Sequence, residues 1–243
     1  MNSHANVLVL ETAEAVARAA AERFVDSAAR CIREHERFAV ALAGGTTPRR
    51  AYELLSSDQF RQRVDWAHVH LFFGDERMVP ADSDQSNYRM VRAALISRVA
   101  LPNENVHPIA GDIAAAHSAR AYEAELKKFF GAGQLPRFDL MWLGMGVDGH
   151  TASLFHGGDG SPGDPDWVVA TVNPDSGQAR VSLSLKVINC AARIDFLVTG
   201  KDKAATLAKV LRDADQKKLP AQKVAPVNGS LQWLVDCDAA SLL

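Results

Sequence analysis

Along the chain, short apolar runs alternate with longer stretches whose apolar residues recur every three or four positions. The first pattern marks a buried strand and the second an amphipathic helix. Residues 7–10 read as a first strand, and from Thr12, an N-cap type, to His35 the chain reads as an Ala-rich amphipathic helix. Residues 37–42 form the second strand and run into Ala43-Gly44-Gly45-Thr46-Thr47-Pro48. Pro48 suits the first turn of a helix, where its missing N–H costs nothing; Thr47 is placed to cap this helix, which extends to Leu55. Strand 69–73 leads into Gly74-Asp75-Glu76-Arg77, a polar loop over 81–87 and a helix over 88–99. A short strand at 105–109 and a helix over 113–130, closed by Gly131, come next. The apolar run opening at Asp139 is followed by three glycines within six residues. Residues 157–165 are too rich in Gly and Pro for anything but a loop. Strand signals resume at 167–172, alternate as in a half-exposed strand at 180–185, and return as a buried strand at 195–198. Residues 199–203 precede a helix to Arg212, and 231–235 are the last strand. Strands alternating with helices predict an α/β fold around a mostly parallel sheet.

In such a sheet all strands end on one edge, where open α/β sheets collect their ligands. Four strands here end in polar, glycine-containing turns, at 44–47, 74–77, 144–150 and 200–203, and these are expected to line one crevice. Gly44, Gly45, Thr46 and Thr47 make a candidate anion cradle: free backbone N–H groups and a helix dipole favour negative charge, and the hydroxyls add hydrogen bonds. The plain alternative is a tight turn before a capped helix. The turn matches neither the dinucleotide fingerprint nor the P-loop, so no dinucleotide or ATP site follows. Lys203 is a second candidate anion ligand, set against the ordinary reading of a solvated lysine. Arg77 can bind a phosphate through two parallel hydrogen bonds or steady a developing oxyanion; a solvated loop with an internal ion pair is the alternative for Asp75-Glu76-Arg77. Asp148 and His150 are delivered by the glycine turn, and an imidazole near neutral pH can take a proton from water. The alternative is an Asp that caps a helix and a His that fills space. His4, His35, His68, His70, His107 and His117 read as surface or core residues. Asp148, His150 and His156 imitate a metal set, but the third ligand falls in a loop and no metal is expected. There is no GxSxG nucleophile elbow and no HExxH.

At 243 residues, with 47% hydrophobic and 23% charged residues, the chain suits one large α/β domain or two small ones. A formal net charge of −2 gives no reason to expect a nucleic-acid or acidic-membrane partner. No apolar run approaches the ~20 residues that span a bilayer. The polar start, Met1 to Asn6, does not read as a signal peptide, so a cytoplasmic protein is expected. Cys31, Cys190 and Cys237 are odd in number and lack a CxxC pair, which argues against a thiolate metal site; three buried free thiols are expected.

Three stretches, in this order and spacing, carry a resemblance that covers nearly the whole chain: Ala43 to Pro48, Phe73 to Pro80 with Ser86-Asn87-Tyr88, and Gly144-Met145-Gly146-Val147-Asp148-Gly149-His150-Thr151-Ala152-Ser153-Leu154-Phe155. Arg180 to Ser184 and Gly200 to Lys203 also match. The sequence resembles the 6-phosphogluconolactonase family, in the superfamily that includes glucosamine-6-phosphate deaminase. Asp75-Glu76-Arg77 with Val79-Pro80, and Thr151 to Phe155, look like the lactonase branch. Thr46 stands where that family commonly has Ser, and His156 where it commonly has Pro. The resemblance implies one Rossmann-like α/β domain over 1–243, with helices flanking a mostly parallel sheet and a small additional β element. It implies hydrolysis of 6-phospho-D-glucono-1,5-lactone to 6-phospho-D-gluconate, the second step of the oxidative pentose phosphate pathway. No cofactor or metal is implied; the partner is a small sugar-phosphate lactone, and the chain is a monomer or weak homodimer. Gly44, Gly45, Thr46, Thr47, Arg77, Arg180 and Lys203 would hold the phosphate. His150 would be the general base, oriented by Asp148, while Asp75 would bind substrate hydroxyls or assist proton movement. Two other readings remain: a deaminase or aldose–ketose isomerase with Asp75 as carbon base, and a non-catalytic sugar-phosphate sensor, for which no spare partner domain is evident.

Overall fold

The computed structural model describes residues 6–156, 166–212 and 219–243. In chain order its elements are β1 (Asn6–Leu10), α1 (Ala13–His35), β2 (Phe38–Leu42), α2 (Thr46–Leu55), β3 (Val69–Phe73), β4 (Asp75–Arg77) and α3 (Asn87–Ala94). There follow β5 (Val106–His107), α4 (Ala115–Phe130), β6 (Leu140–Leu143), β7 (Val168–Val172), β8 (Ala179–Leu183), α5 (Leu185–Ile188), β9 (Arg193–Val198), α6 (Ala204–Arg212) and β10 (Ser230–Asp236). Every residue of β2 and β6 is buried, as continuous apolar strands require when helices cover both faces of a parallel sheet.

Seven strands make that sheet, in the order β1-β10-β9-β6-β2-β3-β5, all parallel. The chain steps outward from β2 through β3 to β5, then returns to β6 and steps the other way through β9 to β10. The direction reverses between β2 and β6, and a crevice opens at such a switch point. The other three strands form a small antiparallel sheet, β4-β8-β7. Gly74 joins the two layers: its N–H donates to Leu42 O at 2.9 Å, and its carbonyl accepts from Leu183 N at 2.9 Å.

Local chemistry explains the element ends. Thr12 Oγ1 accepts from Ala15 N at 3.2 Å to start α1, and Glu36 stops it with φ 61. The buried face of α1 lays Phe24 edge-on against Phe38 and beside Trp142, on which Tyr52 stacks at 5.3 Å. Burying such rings is worth about 1.5–3 kcal/mol each, which adds to the high helix propensity of the alanines in α1.

Several sequence expectations change. Asp75–Arg77 is a strand, not a turn, because its backbone completes a ladder with β8. Gly45, not Thr47, is the N-cap of α2; its φ of 104 turns the chain into the helix before Thr46, and Thr47 Oγ1 bonds Thr199 Oγ1 at 2.7 Å instead. The expected helix over 88–99 breaks at Leu95 (φ −133) into α3 and a separate 3₁₀ turn at Ile96–Arg98. The expected half-exposed strand at 180–185 becomes buried at its end, where Ser182 Oγ accepts from Ser153 N at 3.2 Å and Leu185 opens a helical turn. Only Cys31 of the three thiols is buried; Cys190 is half-buried and Cys237 exposed. His35, His68 and His117 are exposed and His107 is buried, as surface-or-core residues should be. His4 and the loop 157–165 lie outside the described residues.

His70 and His107 form one cluster: His70 Nδ1 lies 3.3 Å from His107 Nε2, and His107 stacks on Phe72 at 4.1 Å. Burial, with help from His107, Arg37 and His68, pushes His70 down to about 4. Burial also lowers His107, against an opposing pull from Glu125. In the unfolded chain both rings protonate near 6.5, so between about pH 6.5 and 4 the unfolded state binds more protons. Stability present above about pH 6.5 is therefore lost as pH falls, by at most about 1.4 kcal/mol per pH unit for each ring and less where solvent screens the half-buried His70. Thermal unfolding should show the midpoint falling from pH 7 to pH 5, and His70→Phe should flatten that slope. An identical slope in the variant would contradict the assignment.

Candidate active site

The strand ends at the β2/β6 switch point are tied off by two buried tyrosines. Tyr52 of α2 donates to Ala43 O at 2.8 Å and accepts from Ala43 N at 3.1 Å. Tyr122 of α4 does the same for Phe73, at 3.0 and 2.8 Å. Beyond these clamps the backbone leaves the sheet, and a cleft of about 350 Å³ opens. Its lining draws on all four predicted turns: Gly44, Gly45, Thr46 and Thr47; Asp75 and Arg77; Gly144, Gly146 and His150; and Lys203, with Arg180 from β8. Every predicted site residue except Asp148 lines this one cleft, and Asp148 reaches it through His150.

One side is the acid–imidazole pair. His150 Nδ1 and Asp148 Oδ1 are 2.5 Å apart, both partly exposed. Burial raises the Asp148 carboxyl, but the charge and hydrogen bonds of His150 outweigh it and the net position is below the usual carboxylate range. An ionised Asp148 on Nδ1 directs the remaining ring nitrogen, Nε2, to act as acceptor. Phe155 lies against the ring, centroids 5.0 Å apart. The hairpin is closed by Gly146 N on His150 O at 2.9 Å and Thr151 Oγ1 on Gly144 O at 2.9 Å. Gly146 has to be glycine for packing reasons, since a Cβ there would overlap the His150 ring and the Asp148 carboxylate.

A second group of lining residues is cationic. Arg77 and Arg180 are direct partners across the antiparallel β4–β8 ladder. Like charges so placed cost about 0.2–1 kcal/mol. Each Nε is also buried without a hydrogen-bond partner, a penalty of roughly 1–3 kcal/mol apiece that exceeds the repulsion. Burial first, then the charge of Arg77, lowers Arg180 from the ordinary guanidinium value, against Asp75 and Glu76. Asp75 Oδ2 is 3.9 Å from Arg180 Nη1 and accepts from Ser153 Oγ at 2.6 Å. Lys203 Nζ lies 3.5 Å from Asp202, at the turn before α6. The first amides of α2 face the same space, where helix geometry leaves them without intrahelical partners.

Glu76 and Asn87 are the residues that sequence reasoning left without a role. Strand alternation sends Glu76 away from Asp75 and Arg77 and into the protein. There its carboxylate accepts from the backbone N–H groups of Arg77, Asn87 and Tyr88, each at 2.8 Å, and from Ser86 Oγ at 3.1 Å. Burial still holds its carboxyl above the usual range, with those N–H bonds opposing. Glu76 thus fastens the start of α3 to β4. Asn87, placed by that clamp, donates to Asp75 O at 3.0 Å and lies so close to Gly44 that no Cβ fits there. The period-two spacing of Asp75 and Arg77 was the available signal. No spacing pointed to Asn87, or to Ser153, which lies far along the chain from Asp75.

A parallel α/β fold whose switch-point cleft is lined by an imidazole paired with an acid and by paired arginines is that of an enzyme acting on a small anionic substrate. The chain belongs to the family of glucosamine-6-phosphate isomerases/6-phosphogluconolactonase, whose model matches residues 11–233. It is 40% identical over 224 residues to a 6-phosphogluconolactonase of Synechocystis, covering 88% of each chain. It is 35% identical to the human 6-phosphogluconolactonase, covering 98% of this chain and 93% of that one. The solved 6-phosphogluconolactonase of Trypanosoma cruzi superposes with a TM-score of 0.87 at 28% identity, over 100% of this chain and 98% of the other.

Gly146→Ala should break the Asp148–His150 hydrogen bond while leaving the sheet intact. The downfield proton resonance of the His150 ring should disappear with the far-UV circular dichroism unchanged. Persistence of that resonance would show that the hairpin does not need the close approach.

Proposed function

We propose that this chain hydrolyses 6-phospho-D-glucono-1,5-lactone to 6-phospho-D-gluconate. The observation that carries the reading is that His150, hydrogen-bonded to Asp148, lines the same cleft as Arg77, Arg180 and Lys203. The relatives named 6-phosphogluconolactonase, matched over most of their length, support the same substrate. No helix among the described residues is long and apolar enough to cross a membrane.

The phosphate is anchored between the guanidinium groups of Arg77 and Arg180, the Lys203 ammonium and the amides and hydroxyls of Gly44, Gly45, Thr46 and Thr47. Water held on His150 Nε2 attacks C1, and the ring takes its proton while Asp148 stabilises the imidazolium that forms. The tetrahedral intermediate then collapses with cleavage of the C1 to ring-oxygen bond, and the imidazolium returns its proton to that oxygen. Asp75, buried and bonded to Ser153, orients Arg180 and faces the sugar hydroxyls. Positioned general-base catalysis supplies about 10²–10⁴-fold, which a reactive lactone needs only to be supplemented by anchoring. No covalent intermediate or cofactor is required.

His150→Ala should lose roughly 10²–10⁴-fold in kcat while binding 6-phosphogluconate as before; unchanged proton release from freshly generated lactone would refute the base assignment. Arg77→Ala should chiefly raise KM, by roughly 10- to 100-fold for one charge-assisted contact. An effect confined to kcat would move Arg77 to the developing oxyanion, and ammonia release from glucosamine 6-phosphate would favour the deaminase reading.

A further inference from the structure

At the opposite edge of the parallel sheet, where the strands begin, a second constellation stands apart from the cleft. Cys31 and His35 are four residues apart on the last turns of α1, on one face of the helix. Asp139 immediately precedes β6. The Cys31 sulfur, a His35 ring nitrogen and an Asp139 carboxylate oxygen all lie within 4.8 Å of one another, the single such group of His, Cys, Asp or Glu side chains among the described residues. His35 Nε2 and Asp139 Oδ1 are already 3.2 Å apart, close to the separation of two ligands on a tetrahedral ion with bonds of about 2.0–2.1 Å.

The surroundings fix two of the three ligands and leave the third adjustable. Asp139 Oδ2 accepts from Ala39 N at 2.8 Å, an outer hydrogen bond of the kind that orients a metal-bound carboxylate. Cys31 is only 3% exposed and is held by the helix. His35 is exposed at the helix end, so its ring can turn toward the sulfur. A cavity of about 470 Å³ begins at His35 and Asp139, with Arg37, Arg137 and Cys190 also on its wall, and gives a hydrated ion a path and a position for water. Burial and the Asp139 carboxylate push the Cys31 thiol up, while the hydrogen bond and charge of Arg30 pull it down.

We propose that Cys31, His35 and Asp139 bind Zn(II), with water as fourth ligand, and so staple the end of α1 to the entrance of β6. One sulfur, one imidazole and one carboxylate suit zinc, whereas magnesium and calcium take oxygen ligands. Binding converts the thiol to a thiolate and releases one proton to solvent, with no change of oxidation state. The absence of a CxxC pair does not weigh against this set, because the helical spacing supplies the first two ligands.

Co(II) titration of the full chain carrying His150→Ala, which removes the imidazole–carboxylate pair of the cleft, tests the site. One equivalent should bind with a thiolate-to-cobalt charge-transfer band and tetrahedral visible bands, Zn(II) should displace it, and Zn(II) should raise the unfolding midpoint. Cys31→Ser should abolish the charge-transfer band and weaken Zn(II) binding at least ~10-fold, and Cys190→Ser should change neither. Should Cys31→Ser fail to fold, His35→Ala, at an exposed position, should give the same weakening. No charge-transfer band, or a band that survives Cys31→Ser and His35→Ala, would overturn the proposal.

Discussion

Two guanidinium groups set face to face in a largely buried β ladder are the constraint on which the rest of the cleft depends. Arg77 and Arg180 repel one another, and each keeps a buried N–H without a partner. Asp75, 3.9 Å from Arg180, offsets part of the charge but none of the orphaned Nε groups. On the proposed reading, a phosphate held by the guanidinium groups would offset the remaining positive charge, because charge-assisted bonds to guanidinium are worth about 1.5–3 kcal/mol each. Binding energy gained there would then help to position the reacting carbon.

That arrangement holds only if the second sheet is rigidly set against the first. Gly74 hydrogen-bonds to both layers, and Glu76 gathers four donors from β4 and the start of α3. Asn87 is thereby pressed against Gly44, so the anion-binding turn and the arginine ladder are parts of one packed unit. The imidazole side is organised on the same logic: Gly146 yields the space in which Asp148 and His150 meet. Close backbone approach, rather than flexibility, is what the glycines at 44 and 146 contribute. Neither of these two needs a positive φ.

Much of this was legible in the residues. Short apolar runs separated by amphipathic stretches dictated the parallel sheet, and a parallel sheet must bring its turns to one edge, so Gly44, Arg77, His150 and Lys203 had to be neighbours. Where the reading failed, tertiary pairing outweighed local pattern. Asp75-Glu76-Arg77 looks like a charged turn because nothing local reveals that β8 will supply its ladder. Thr47 looks like a cap because the left-handed φ of Gly45, which starts the helix earlier, leaves no mark beyond the glycine itself. Ser153 owes its placement to a contact between distant segments, and Glu76 and Asn87 to the way the loop between β4 and α3 folds back, neither of which periodicity encodes.

The most direct test of the paired-arginine seat is the position of phosphorus in a crystal of the protein soaked with 6-phosphogluconate. The account predicts phosphate oxygens on the guanidinium groups of Arg77 and Arg180, with the C1 carboxylate turned toward His150 Nε2. A phosphate lodged beside His150, or bound outside the cleft and away from both guanidinium groups, would contradict it.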